Sequence, residues 1–106
     1  MNSQKIVNLL TICRRAGRLV TGFDVSIDAV RSKEAKYILT ASNVSAKTLK
    51  ELNYLLNKEN FSNKVKVLSM PLTIDDVYRC INVNAGIIAI CDDGFGKSFE
   101  RLTTES

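Results

Sequence analysis

A chain of 106 residues, 45% hydrophobic and 25% charged, has the length and balance of one globular domain able to bury its own core. Its net charge of +4 conceals an asymmetry: residues 1–50 hold nine Lys/Arg against three Asp/Glu, whereas residues 51–106 hold six against eight. Histidine is absent, which removes the usual general base and the commonest metal ligand, and no apolar run of about 18 residues offers a membrane span.

In chain order, MNSQKIVNLLTICRR is interrupted by Asn8 and Thr11 and has no small-residue cleavage site, so it does not read as a signal peptide and a cytoplasmic protein is expected. Ser3 is the expected N-cap of a first helix, with Ile6, Leu9, Leu10 and Cys13 at helical spacing and Gly17 as its stop. Arg18–Thr21 is a short strand. A second helix runs from about Gly22 to Ser32 with Phe23, Ile27 and Val30 inward, and Ala35–Ala41 is a buried strand. Ser45 caps a third helix whose apolar face is Leu49, Leu52, Leu55 and Leu56, with Lys47 and Lys50 pointing elsewhere. Lys64–Leu68 alternates with period two, as in a strand with one wet face. Thr73 caps a fourth helix with Asp75 and Asp76 in its first turn and Ile74, Val77, Tyr78 and Ile81 on its apolar face. Gly86–Cys91 is a fully buried strand, and Phe95, Phe99 and Leu102 lie along a last helix. Alternating helices and buried strands predict a single compact domain, a three-layer α/β/α sandwich around a four-stranded mixed sheet.

Several motifs invite chemistry and are read as structural. Gly94-Phe95-Gly96-Lys97-Ser98 ends like a phosphate-binding loop, but Cys91 stands where that loop needs its first glycine, so the two glycines are expected to form a tight turn at a helix start. Asp92 and Asp93 are adjacent and point apart, unlike an acid/base pair. Cys13, Cys80 and Cys91 are odd in number and unpaired in spacing, which predicts buried reduced thiols. No catalytic group, metal site or cofactor is expected.

The basic residues carry more. Arg14, Arg15 and Arg18 surround the end of the first helix, and Arg31, Lys33 and Lys36 follow the second. With Gly22 opening a helix, the stretch Arg14–Arg31 is expected to set a positive helix end beside three arginines, a corner suited to polyanions. Cations near a helix C-terminus also offset its dipole. Two such clusters in half of a small domain fit phosphate neutralisation better.

RRAGRLVTG, then AVRSKEAKYILTASNVS, then GIIAICDDGFGKSF resemble the small bacterial YlxQ-like proteins of the ribosomal protein L-seven-Ae/L-thirty-e superfamily, over about Ile6–Leu102. The resemblance implies an α/β/α sandwich that binds RNA without catalysis, notably kink-turns, with the ribosome or translation factors as further partners. In the superfamily's kink-turn binders, the helix after the glycine carries Thr-Asn-Glu and then a lysine, which read base edges. The matching positions after Gly22 hold Phe23, Asp24, Val25 and Asp28. Ionised aspartate only accepts hydrogen bonds, valine makes none, and Asp28 reverses the lysine's charge. A second contact of the family is an apolar loop before the last strand, matched here by Val83, Asn84, Ala85, Gly86 and Ile87. The expected RNA-facing edge is therefore Gly22, Phe23, Asp24 and residues 83–87, with Arg14, Arg15, Arg18, Lys33 and Lys36 on phosphates. A second reading makes Phe23, large and aromatic, the anchor of a protein-interaction adaptor that keeps the fold.

Overall fold

A computed structural model describes residues 3–104, in which helices and strands alternate: α1 (Ser3–Arg15), β1 (Leu19–Thr21), α2 (Phe23–Arg31), β2 (Tyr37–Thr40), α3 (Ala46–Lys58), β3 (Lys66–Ser69), α4 (Ile74–Ile81), β4 (Ile87–Ile90) and α5 (Asp93–Thr104). The sheet order is β1-β4-β2-β3. β4 runs antiparallel to both β1 and β2, and β2 is parallel to β3. Every residue of β2 and β4 is buried, as central strands covered on both faces must be.

Side-chain alternation sends the two strands' residues to two cores. Leu39, Ile88 and Ile90 meet Ile6 and Leu10 of α1, Val77 of α4 and Phe99 of α5 on one face. Ile38, Ile87 and Ala89 meet Ile27 and Val30 of α2 and Leu52 and Leu56 of α3 on the other. Burying each such aliphatic side chain contributes about 1.5–3 kcal/mol. The predicted three-layer sandwich is the observed one.

Three helices stop by the same backbone device. After α1, Gly17 (φ 68) donates to Arg14 O and Arg18 donates to Cys13 O, at 3.0 and 3.1 Å. After α2, Lys33 (φ 65) and Glu34 bond Val30 O and Ala29 O; after α3, Asn60 (φ 63) and Phe61 bond Asn57 O and Leu56 O. These paired bonds satisfy carbonyls that the helix itself leaves open, and they need one left-handed residue each. At helix starts, Ser45 Oγ accepts from Thr48 N–H at 3.1 Å. Thr73 and Asp76 cap α4 reciprocally.

The sequence reading departs from the structure in several places. Ser3, expected as the N-cap of α1, is already helical, and the residue before it lies outside the described residues. β3 begins two residues later than expected and does not keep one dry face: Leu68 is buried on the α1/α5 side, Val65 on the α3 side, and Val67 is 37% exposed. Edge position explains this, since only β2 flanks the strand. Tyr78 is half exposed, and Cys80 takes the inner place on α4, its thiol 3.4 Å from Val7 O. Gly94 and Gly96 lie within α5, not in a turn before it. Asp92 caps that helix by accepting Phe95 N–H at 2.8 Å. Gly96 packs so closely on the Tyr37 ring that an added Cβ would collide with it.

Candidate nucleic-acid interface

Strand register sorts the candidate residues onto two ends of the sheet. At one end Gly22 N–H donates to Ile87 O and Ala41 N–H to Gly86 O, both at 2.9 Å. At the other, Cys91 N–H donates to Arg18 O at 2.8 Å and Lys66 N–H to Lys36 O at 2.9 Å. Three to four strand residues separate them, roughly 10–13 Å at about 3.3 Å each. The expected corner, a helix N-terminus beside Arg14, Arg15 and Arg18, is therefore not formed. β1 carries the chain across the sheet between Arg18 and Gly22, so the arginines and the leading end of α2 finish at opposite ends.

The Gly22 end brings together what the sequence proposed for it. Gly22 adopts φ 104, ψ 154, a region that only glycine occupies without strain. No side chain caps α2, so the N–H groups of its first turn face outward with the positive end of the helix dipole. Asp24 and Val25 are exposed on that turn. The neighbouring loop leaves α4 through Asn82 in the left-handed conformation (φ 58). Ala85 and Ile87 are buried, Gly86 packs on Val44 and Ile74, Val83 is half-buried, and Asn84 is exposed. Beside it a cavity of about 450 Å³ is lined by Asn43, Ile74, Asp75, Tyr78 and Asn84. Sequence reasoning placed Tyr78 on the inner face of α4 and gave Asn43 no role, since a lone asparagine after a buried strand carries no periodic signal.

The Arg18 end collects the cations. Arg14, Arg15, Arg18, Lys33, Lys36 and Lys64 are all exposed there. Lys36 reaches Asp93 at 3.9 Å, whereas among the described residues Arg14, Arg15, Arg18, Lys33 and Lys64 form no ion pair. Arg31 differs. Its Nε and Nη2 donate to Glu59 at 2.8 and 2.7 Å, which clamps α2 to α3, raises the guanidinium pKa and lowers that of Glu59. The rim is mixed in sign, because Glu34, Asp92 and Asp93 lie within it. Asp92, however, is engaged as the cap of α5.

The remaining motifs resolve structurally. Phe23 is half-buried: it packs against the α2/α3 core and lines a surface pocket with Asp24, Asp28 and Arg31. The three cysteines are free, but only Cys13 is fully buried; Cys80 and Cys91 are half-buried at helix and strand margins. Burial first, then Asp92 and Cys91, pushes the Cys13 thiol up to about 12. Burial likewise raises Cys91, with Glu34 adding to it and Arg18 opposing. Neither thiol is activated as a nucleophile. Among the described residues no group of three or more His, Cys, Asp or Glu could hold a metal, and no helix is long and apolar enough to cross a membrane.

Residues 4–74 match the model of the ribosomal protein L7Ae/L30e/S12e/Gadd45 family. The chain belongs to that family. It is 28% identical over 102 residues to a protein named RNA-binding protein YlxQ from Enterococcus faecium, covering 95% of this chain and 93% of that one. A Bacillus halodurans protein described as of unknown function superposes with a TM-score of 0.79 at 25% identity, over 93% of this chain and 96% of that one. A Giardia lamblia protein described as a 15.5kD RNA binding protein shares the fold, with a TM-score of 0.66 at 15% identity over 95% and 83% of the two chains. In this member of the family the match ends at residue 74, so the loop at residues 83–87 rests on the geometry described above.

Proposed function

We propose that this protein is a non-catalytic RNA-binding protein, acting in the cytoplasm on structured RNA in a ribosomal or translation setting. The observation that carries the reading is the exposed cationic rim, paired to an acid only at Lys36 among the described residues, in a chain of this family. Arg14, Arg15, Arg18, Lys33 and Lys36 neutralise phosphates and supply affinity that is largely blind to sequence. The leading end of α2, at Gly22, Phe23 and Asp24, and the loop Val83, Asn84, Ala85, Gly86 and Ile87 supply a second contact, one of shape and backbone donors. Since the rim and this edge close opposite ends of the sheet, the RNA bends around the domain or meets it in two segments. Base readout of the kink-turn kind is not part of the proposal, because Asp24, Val25 and Asp28 lack the needed groups.

The test is a titration against structured RNAs, a kink-turn among them, across a salt series. Log affinity is expected to fall linearly with log salt, by about 0.7–0.9 per phosphate contact, and Arg18→Ala is expected to weaken all RNAs alike. Absence of binding at low salt, or affinity indifferent to salt, would overturn the reading.

A further inference from the structure

We infer that the cleft between the exits of α2 and α3 receives one unstacked nucleotide of the bound RNA, its base on Phe61 and its phosphate among Lys33, Lys36 and Lys64. The inference rests on the RNA-binding reading and adds to it a site that neither the edge at Gly22 nor the arginines provide.

The cleft is built by two neighbouring helix stops. Phe61 N–H donates to Leu56 O at 2.7 Å at the end of α3, and Lys64 and Val65 N–H both return to Phe61 O at 2.9 Å. This tight fold sets Phe61, Val65 and Lys64 around one cleft with Val30. The opposite wall is the end of α2 with Lys33, and Lys36 enters β2 below. The space is about 400 Å³, and no acidic side chain lines it. That volume falls at the lower end of ligand pockets, about 300–1,000 Å³, which suits a single nucleotide. An apolar wall that includes an aromatic ring, lined also by three lysines, matches a ligand that is flat and apolar at one end and anionic at the other. A base carrying its phosphate has that form.

Lys33 supplies an independent indication. It occupies the left-handed position after α2 (φ 65), where glycine is the ordinary residue and a lysine is strained. Strain retained at a cation that makes no ion pair among the described residues points to a use outside the fold.

The experiment compares two hairpin RNAs, identical except that one carries a single bulged uridine, on the full chain and on Phe61→Leu, Lys33→Gly, Lys64→Gln and the control Lys47→Gln. Wild type is expected to bind the bulged hairpin about tenfold more tightly than the paired one, with Phe61→Leu removing that preference. Lys33→Gly is expected to melt at a higher temperature yet bind about threefold more weakly, and Lys64→Gln to lose a similar amount while Lys47→Gln does not. A 4-thiouridine at the bulge should crosslink near Phe61. A preference that survives Phe61→Leu, full affinity in Lys33→Gly, or equal binding of both hairpins by wild type would overturn the cleft proposal while leaving salt-dependent RNA binding intact. Wild type that binds neither hairpin at low salt would remove both readings. Uridine monophosphate binding as tightly as the bulged hairpin would make this a free-nucleotide site. Equal competition by polyglutamate would make it an acidic-peptide site.

Discussion

The two ends of the sheet are finished by different means. At the Gly22 end the chain turns on backbone geometry: a glycine-only conformation, an uncapped helix start, and a loop whose apolar residues pack inward. At the Arg18 end it turns on ordinary helix stops, and the surface is defined by charge, with five cations left without ion partners among the described residues. Sequence similarity to the family spans both ends, since the match covers residues 4–74, whereas the excess of cations belongs to the second. On the proposed function, the two ends make separable contributions to RNA binding, and each can be altered without the other.

The strongest test of that separation is charge reversal. Replacing Arg14, Arg15 and Arg18 by Glu is expected to lower RNA affinity at low salt by at least about 100-fold and to flatten the salt slope by roughly 2–3, with every RNA affected alike. The converse triple, Asp24→Asn, Val25→Glu and Asp28→Lys, introduces three of the four side chains of the kink-turn binders at the other end. It should raise affinity for a kink-turn by about tenfold or more over a paired duplex, at about 1–3 kcal/mol per good base contact. If the first triple abolished only kink-turn binding, the assignment of roles to the two ends would be reversed.

The elements were legible in the sequence but this division was not, since the reading put the three arginines and the start of the second helix in one corner. Helix stops and caps were read correctly where a single residue type decides them: Gly17, Ser45, Thr73. The central strands were legible because continuous apolar runs need cover on both faces. What could not be read was which end of the sheet each loop occupies. Arg18 and Gly22 are four residues apart in sequence, and a three-residue strand between them is enough to part them. The register of β4 against β1 and β2 fixes that separation, and pairing register is a non-local property that periodicity does not encode. The Phe61–Lys64 cleft escaped notice for the same reason, since its walls come from two helix exits brought together by parallel β2–β3 pairing and the Arg31–Glu59 clamp.

Stability separates the ends as well, through one glycine at each. Gly96→Ala forces a Cβ into the Tyr37 ring, and overpacking of this kind is expected to destabilise by about 2–3 kcal/mol. Gly22→Ala meets nothing within 4 Å, so its expected penalty of about 1–2 kcal/mol is conformational alone. Denaturant midpoints should rank the two in that order, and Gly96→Ala should disturb the crosslinking site near Phe61 more than Gly22→Ala does.

Smaller is the loss expected from Thr73→Ala, about 1 kcal/mol for a removed cap, and it should depend on pH. The Asp76 carboxylate sits below its ordinary value of 3.8 because Thr73 donates to it, first from the backbone. A lowered folded-state pKa means that the contribution is fully present above about pH 4 and disappears as acidification protonates the folded carboxylate. The gap between wild type and Thr73→Ala should therefore narrow as pH falls below 3.8 without closing, because the main donor to Asp76, the Thr73 N–H, survives the substitution; urea denaturation across that range checks it.

The smallest effect expected is a gain. Ser26 lies on α2 near its leading end, fully buried, and its hydroxyl has no hydrogen-bond partner among the described residues. An unsatisfied buried hydroxyl is unfavourable, and alanine is also the better helix former. Ser26→Ala should stabilise the fold by about 0.5–1 kcal/mol. Because the side chain is enclosed, RNA affinity should not change. A more stable variant with weakened binding would mean that the leading end of α2 opens when RNA arrives and exposes that hydroxyl, in which case the Gly22 end is not the rigid partner of the comparison but its moving part.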